Sequence, residues 1–365
     1  MASGKDSLPE MRVAVIAITR RGALLGHRLA ENMAGLEYYV SRRYAGQSDS
    51  ADRCFEPTEL KALIASLWST YEGFVLIMAT GIVVRMIAPL LESKETDPAV
   101  VVMDETGRFA ISLLAGHLGG ANELAGRCAV ASGARAVVTT ATDANDLPSF
   151  DMLAKEQGWV IDDISTVKVL NTLLLDNKEI AVVDPTGQTR PWLLGRGNIT
   201  FYETIADAAG SGADGFLFVT NRTLPKLASP KDTLILRPRN LVLGIGCNRS
   251  TPADEIEAFV TVHLKRVHLS LKSVRCIASV AAKRDEAGLA EYAERLGVPY
   301  RCFESGELSQ VAFPSPPSQH ALAAVGVAGV AEPAAILASG GGRLILRKVK
   351  AANVTLAVAE LNEEN

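Results

Sequence analysis

The chain reads as an α/β protein, with two α/β domains of mainly parallel sheet joined by a less regular middle region. Three observations lead there. Short β-branched runs alternate with helical patterns from Arg12 to about Thr140, and the same alternation restarts at Asn240. In addition, 365 residues exceed the roughly 250–300 at which one hydrophobic core stops growing. The expected divisions are 1–148, a middle region 149–238, and 239–365.

Taken in order, Arg12 to Thr19 (RVAVIAIT) is a strand, and Arg21 to Met33 follows as a helix. LEYYVS (Leu36 to Ser41) is a second strand. Pro57 opens a helix running to Tyr71, because proline is tolerated in the first helical turn. GFVLIMA (Gly73 to Ala79) is apolar throughout, as a strand covered on both faces must be. AVVVMD (Ala99 to Asp104) and ARAVVTT (Ala134 to Thr140) supply further strands. The middle region shows a helix around Leu170 and a strand EIAVVD, and is otherwise the least periodic part. From Asn240, NLVLGIG is a strand, Thr251 and Pro252 open a helix running toward His268, and SVRCIASV, YRCFES and LILRKV are later strands. Pro238 in RPRN marks the preceding boundary, since linkers favour proline and polar residues.

Composition narrows the function. With 48% hydrophobic and 21% charged residues the chain is a folded globular protein. A net charge of −4 provides no global basic field, and 5% aromatic residues leave little for base stacking, so nucleic acid is not expected as a partner. The five cysteines are widely spaced with no C-x-x-C pair, which fits a reducing, cytoplasmic compartment and no zinc knuckle. Met1 to Glu10 lacks a signal-peptide layout, and the apolar stretch Gly73 to Leu91 contains Thr80, Gly81, Arg85 and Pro89, so no membrane association is expected. Phosphate-loop, zinc-protease, calcium-loop and serine-elbow motifs are absent.

Three clusters could carry chemistry. Thr80-Gly81 falls where a strand meets a helix, so its backbone N–H groups could bind an anion, with Arg85 one turn on; a plain tight turn with a surface arginine fits equally. In Gly116-His117-Leu118-Gly119-Gly120-Ala121-Asn122-Glu123, the glycines permit close backbone approach to a ligand, and a histidine titrates near neutral pH, although a glycine-rich helix cap with a hydrogen-bonded histidine also accounts for the run. Glu123 would either orient His117 or complement the helix dipole. Thr139, Thr140, Thr142 and Asp143 end a strand, where ligands of parallel sheets collect, although such residues also cap turns.

In the last third, Gly244 and Gly246 stand at a strand-to-helix junction, but Arg249 occupies the position where a dinucleotide loop wants a small residue. Cys247 would be a nucleophile if the helix terminus lowered its pKa, and is otherwise a packing residue. Arg249 and Lys348 are candidate anion contacts.

Together, ATGIVVRMIAPLL, the K-x-x-D-P-A-V-V-V run from Lys94, ISLLAGHLGGANELA, TTATD and GIGCNRST resemble the CbiG-type cobalamin biosynthesis proteins, the cobalt-precorrin-5A hydrolases. PSPPS, GVAGVAEPAAIL and NVTLAVAE are similar to the family's C-terminal pattern, shared with CobE-like proteins. Where the family often has Pro-Lys on the late strand, this chain has Arg347-Lys348.

The resemblance implies hydrolysis of the ring-A acetate δ-lactone of cobalt-precorrin-5A, with C-20 and its methyl group leaving as acetaldehyde to give cobalt-precorrin-5B. It would need an activated water and oxyanion donors. On that reading His117 is the general base or acid, Glu123 its partner, and Arg85 with Thr80-Gly81 the oxyanion stabiliser. The glycine loop (Gly119, Gly120), Asn122, the TTATD residues and Gly244, Gly246 and Cys247 would contact the polycarboxylate tetrapyrrole, with Arg85, Lys94, Arg249 and Lys348 as its cation partners. The protein is expected to need no cofactor of its own, the cobalt arriving inside the substrate; ligation of it by His117 or Cys247 is the less favoured arrangement. Transient contact with neighbouring pathway enzymes is expected. The alternatives are a non-catalytic carrier of corrinoid intermediates and, last, a nucleotide-binding regulator.

Overall fold

The computed structural model describes residues 11–45, 53–93, 96–224 and 232–362. It divides into two compact units, Met1–Met152 and Leu153–Asn365. Lys94 lies outside the described residues.

The first unit is built on strands β1 (Val13–Ala17), β2 (Leu36–Ser41), β3 (Arg53–Phe55), β4 (Gly73–Ile77), β5 (Ala99–Met103), β6 (Phe109–Leu114) and β7 (Arg135–Val137), in the spatial order β3-β2-β1-β4-β5-β6-β7. The strands β1, β4 and β5 are buried at every position, as the uninterrupted apolar runs VAVIA, GFVLI and AVVVM require. Helices α1 (Arg20–Asn32) and α4 (Ala121–Ser132) cover one face, packing Leu25, Leu29 and Leu124 against Val15, Val75 and Val101. On the other face, α2 (Leu60–Leu67) and α3 (Thr80–Ile87) pack Ile64, Val83 and Ile87 against Ile16, Phe74 and Val102. Each such side chain contributes about 1.5–3 kcal/mol through burial, which holds the three layers together.

The strand β6 was not anticipated, and it reverses the polarity of the sheet. β1 to β5 run parallel, but β6 pairs antiparallel with β5, Met103 facing Ala110 and Val100 facing Leu114, and β7 is parallel to β6. A hairpin over 104–108 makes the reversal. Gly107 there has φ +69, a left-handed conformation that glycine adopts without steric cost. The C-terminal ends of β1, β4 and β5 therefore lie along one edge of the sheet, and those of β6 and β7 along the opposite edge. The strand runs between the edges cover five residues of β5, about 16 Å at the usual rise. Two short helices, α5 (Ala141–Ala144) and α6 (Phe150–Glu156), follow β7.

The second unit contains two sheets. The first has β8 (Val160–Ile161), β9 (Ile180–Val183), β10 (Ile199–Phe201), β11 (Gly215–Val219) and β12 (Thr233–Arg237) in the order β10-β9-β11-β12-β8, parallel except for β8. With α7 (Ile164–Leu175), α8 (Arg190–Leu193) and α9 (Ile205–Ala209), this gives the middle segment a regular sheet of its own. Its irregular look in the sequence has a physical source: strands and helices of two to five residues are too short to display a period.

The other sheet has β13 (Leu241–Cys247), β14 (Val274–Val280), β15 (Tyr300–Phe303), β16 (Arg343–Ala351) and β17 (Val354–Glu360) in the order β15-β14-β13-β17-β16. β13, β14 and β15 are parallel, and the β16–β17 hairpin adds two strands with β17 antiparallel to β13. Helices α10 (Ala253–Arg266) and α11 (Ala287–Leu296) cover one face through Ile256, Val260, Leu289 and Tyr292. α12 (Ser305–Ser309), α13 (Gln319–Val325) and α14 (Ala331–Ala338) follow β15, α14 packing on the opposite face. The expected α/β class with mainly parallel sheets is what the chain adopts. Among the described residues no helix is long and apolar enough to cross a membrane.

Candidate active site

The glycine-rich segment between β6 and α4 folds back on itself. Gly120 N–H donates to the His117 carbonyl (2.9 Å), Ala121 N–H to that of Ala115 (3.1 Å) and Asn122 N–H to that of Gly116 (3.0 Å). Gly120 caps α4 with φ +87, and Ala115 is held at φ +54, a left-handed conformation unusual for a residue with a β-carbon. A β-carbon at Gly116 would sit 2.8 Å from Asn122 Oδ1, so that glycine makes room for the asparagine.

The fold gathers side chains from four segments here. His117 Nε2 is 2.8 Å from Asp143 Oδ2 and 3.2 Å from Thr142 Oγ1. On the other side of the ring, Nδ1 is 3.5 Å from Ser149 Oγ and 3.8 Å from Asp151 Oδ2. Ser149 in turn donates to Asp151 Oδ1. Asn122 Nδ2 donates to Thr140 Oγ1 (3.0 Å) and to Asp143 Oδ2 (3.1 Å), while its Oδ1 accepts from Ser112 Oγ (2.6 Å). Burial divides the cluster. Thr142, Ser149 and Asp151 are buried, the His117 side chain is 17% exposed, and that of Asp143 is 43% exposed. A histidine bracketed by two carboxylates, one open to solvent, can store and move a proton.

Three expectations for the first unit change. Glu123 does not partner His117: it is exposed in the first turn of α4, where its charge complements the helix dipole, and Asp143 holds the imidazole instead. Nor do Arg85, Thr80 and Gly81 join His117. They follow β4 at the opposite sheet edge, because β6 runs antiparallel, and Arg85 is exposed and donates back to the Gly81 carbonyl (3.1 Å). Of the TTATD residues, Thr140, Thr142 and Asp143 enter the cluster and Thr139 is exposed beside it. Gly119 belongs to the same loop, where a β-carbon would collide with Ala115.

The remaining candidates belong to the second unit. Gly246, Cys247 and Lys348 line a cavity of about 120 Å³ with His320, Lys350 and Asn353. Arg249 instead lines a separate, wider cleft of about 660 Å³ with Thr251, Glu286 and Arg295, so the two cations do not converge. Lys348 Nζ donates to the Pro316 carbonyl (3.0 Å), and its backbone N–H to the buried carboxylate of Glu332 (2.9 Å), which also receives Ser315 Oγ (2.8 Å). The PSPPS segment is thereby tied to α14. Gly244 is buried where a β-carbon would run into the Ala331 carbonyl, so it serves the packing of α14 on β13 and offers no surface to a ligand. Burial pushes the Cys247 thiol up, the reverse of the lowering a nucleophile needs.

Sequence reasoning missed Ser112, Ser149, Asp151 and His320. Ser149 and Asp151 flank the start of α6 and look locally like capping residues, and only the fold brings them to His117. Among the described residues no group of three or more histidine, cysteine, aspartate or glutamate side chains is arranged to hold a metal ion.

Fold and site define an α/β protein whose first unit carries a histidine–carboxylate cluster suited to proton transfer. The models of cobalamin synthesis G match its N-terminal part over 62–143, its central region over 148–238 and its C-terminus over 241–359. The chain belongs to the cobalamin synthesis G (CbiG) family. It is 37% identical over 352 residues to the cobalt-precorrin-5A hydrolase of Priestia megaterium, covering 95% of this chain and 94% of that one. Its identity to the cobalt-precorrin-5A hydrolase of Salmonella typhimurium is 34% over 353 residues, covering 95% and 97%. Over 123 residues it is 34% identical to Protein CobE of a Sinorhizobium species, covering 33% of this chain and 79% of that protein.

Proposed function

We propose that this protein is a cobalt-precorrin-5A hydrolase, opening the ring-A acetate δ-lactone and releasing C-20 with its methyl group as acetaldehyde to leave cobalt-precorrin-5B. The observation that carries the reading is the pair formed by His117 of the pinned glycine loop and Asp143 of α5, supported by family membership and by the names of the relatives. Lactone opening requires a group that takes a proton from water as its oxygen bonds to the carbonyl carbon. It also requires return of a proton to the departing oxygen, and a fixed acid–base pair beside solvent does both. Loss of acetaldehyde then breaks a carbon–carbon bond, a step needing no redox change, so the protein's role is acid–base chemistry and positioning. The cobalt enters as part of the substrate, no resident cofactor is required, and the labile product would pass to a neighbouring pathway enzyme.

Anaerobic incubation of the purified protein with cobalt-precorrin-5A, trapping acetaldehyde and following the macrocycle's mass, tests the reading. Stoichiometric acetaldehyde with the matching mass change is expected. Binding without release would leave the protein a carrier and reject the hydrolase.

A further inference from the structure

We infer that the group meeting the reacting water is Asp143, through Oδ1, and that His117 and Asn122 are positioning residues that act through it. The inference rests on the hydrolysis proposed above and divides the labour within that site.

The two oxygens of Asp143 are treated differently. Oδ2 takes both nearby donors, His117 Nε2 at 2.8 Å and Asn122 Nδ2 at 3.1 Å, which fixes the plane of the carboxylate. Among the described residues no hydrogen bond reaches Oδ1, and the side chain is 43% exposed. An oriented, solvent-facing carboxylate oxygen with free lone pairs is what a water-activating base requires.

His117 is poorly placed for that task itself. Its Nε2 is occupied by Asp143 and Thr142, and its Nδ1 is turned inward, toward the buried Ser149 (3.5 Å) and Asp151 (3.8 Å), whereas the Asp143 carboxylate is the more exposed member of the pair. Ser149 is no better as a nucleophile, being buried and donating its hydroxyl proton to Asp151. Asn122 is oriented by Ser112, whose hydroxyl fixes which end of the amide points to Asp143.

The step balances without any further reactant. Water gives a proton to Asp143 Oδ1 as its oxygen bonds to the lactone carbonyl carbon and the carbonyl π pair moves onto oxygen. On collapse the acyl–oxygen bond breaks, and the proton passes from Asp143 to the departing ring oxygen, which regenerates the carboxylate.

The test is a set of full-length variants assayed for acetaldehyde release, with thermal unfolding followed in parallel. Asp143→Asn and Asp143→Ala should lower kcat by about 10²–10⁴-fold with KM little changed. Added formate should restore part of the Asp143→Ala activity by supplying the missing carboxylate. His117→Ala should lose activity that His117→Gln partly recovers, because an amide N–H can still donate to Oδ2. Rescue of His117→Ala by imidazole with His117→Gln inactive would make His117 the base and overturn the assignment, as would Asp143→Asn turning over within about threefold of wild type. A wild-type protein that releases no acetaldehyde rejects the hydrolase reading itself, and the assignment falls with it.

Discussion

The two edges of the seven-stranded sheet each carry a glycine-bearing motif after a strand end, and they are built differently. After β4, the polar groups are local: Arg85 bends back to the Gly81 carbonyl four residues before it, and the surrounding helix face exposes Ile82 and Val84. After β6, side chains from β6, the glycine loop with α4, the β7–α5 segment and the start of α6 converge on one imidazole and one carboxylate. A strand end provides a place for a ligand. Chemistry additionally needs groups distant in sequence to meet, and only the second edge brings them together.

The sharpest way to break this comparison is to strip each edge in turn. The double variant His117→Ala/Asp143→Asn should lose about 10²–10⁴-fold in kcat and be no worse than Asp143→Asn alone, because residues acting as one unit are not additive. Arg85→Ala should stay within about threefold in kcat. Steady-state acetaldehyde release measures both, and an Arg85→Ala loss equal to that of the double variant would abolish the distinction between the edges.

Next in size is the loop itself. Gly116→Ala would press a methyl group against Asn122 Oδ1 and shift the amide that steadies Asp143. Misplacement of a catalytic group by an ångström costs up to about 100-fold, so kcat should fall by as much while the protein remains folded. Unaltered turnover in this variant would remove Asn122 from the network.

Part of this contrast was legible in the sequence. The short, β-branched apolar runs of β1, β4 and β5 read as covered strands, and GHLGGANE and TTATD stand out because polar groups interrupt glycine and apolar positions. The edge on which each motif falls was not legible, because it depends on the polarity of β6. The turn signal is present in Asp104-Glu105-Thr106-Gly107, between two apolar runs, but in a chain of parallel units ISLL reads as the start of the glycine motif. With β6 overlooked, Arg85 and His117 are naturally assigned to one site. The pairing of His117 with Asp143 and Asp151 depends on residues 26 and 34 positions away, which local pattern does not reveal. For Cys247, which ends β13 six residues before α10 starts, burial raises the thiol where local sequence suggested a lowering by a helix terminus.

The hairpin that separates the edges gives a third prediction. Burial works against the charge of Asp104, but hydrogen bonds from Thr106 Oγ1 and the backbone N–H groups of Thr106, Arg108 and Phe109 outweigh it and hold the carboxyl below its ordinary range. A depressed folded-state pKa stabilises the protein above the unfolded value of about 3.9 and loses that contribution as pH falls through the folded value. Asp104→Asn should therefore cost about 1 kcal/mol at neutral pH and show a weaker loss of stability in acid, measured by urea unfolding between neutral pH and pH 3. Identical acid profiles for variant and wild type would deny the turn this role.

The smallest effect falls on the quiet edge and has the opposite sign. A β-carbon at Gly81 would meet nothing closer than Arg85 Nη1 at 3.5 Å, an ordinary contact with the end of a flexible side chain. Gly81 lies in the first turn of α3, where alanine fixes less backbone entropy than glycine on folding. Gly81→Ala should thus raise stability by up to about 1 kcal/mol with kcat unchanged, whereas Gly116→Ala, the same change at the other edge, is expected to lower turnover. If Gly81→Ala also lowered kcat, its backbone N–H would have to approach the substrate closely. The first edge would then hold part of the reaction machinery that its local hydrogen bonding does not reveal.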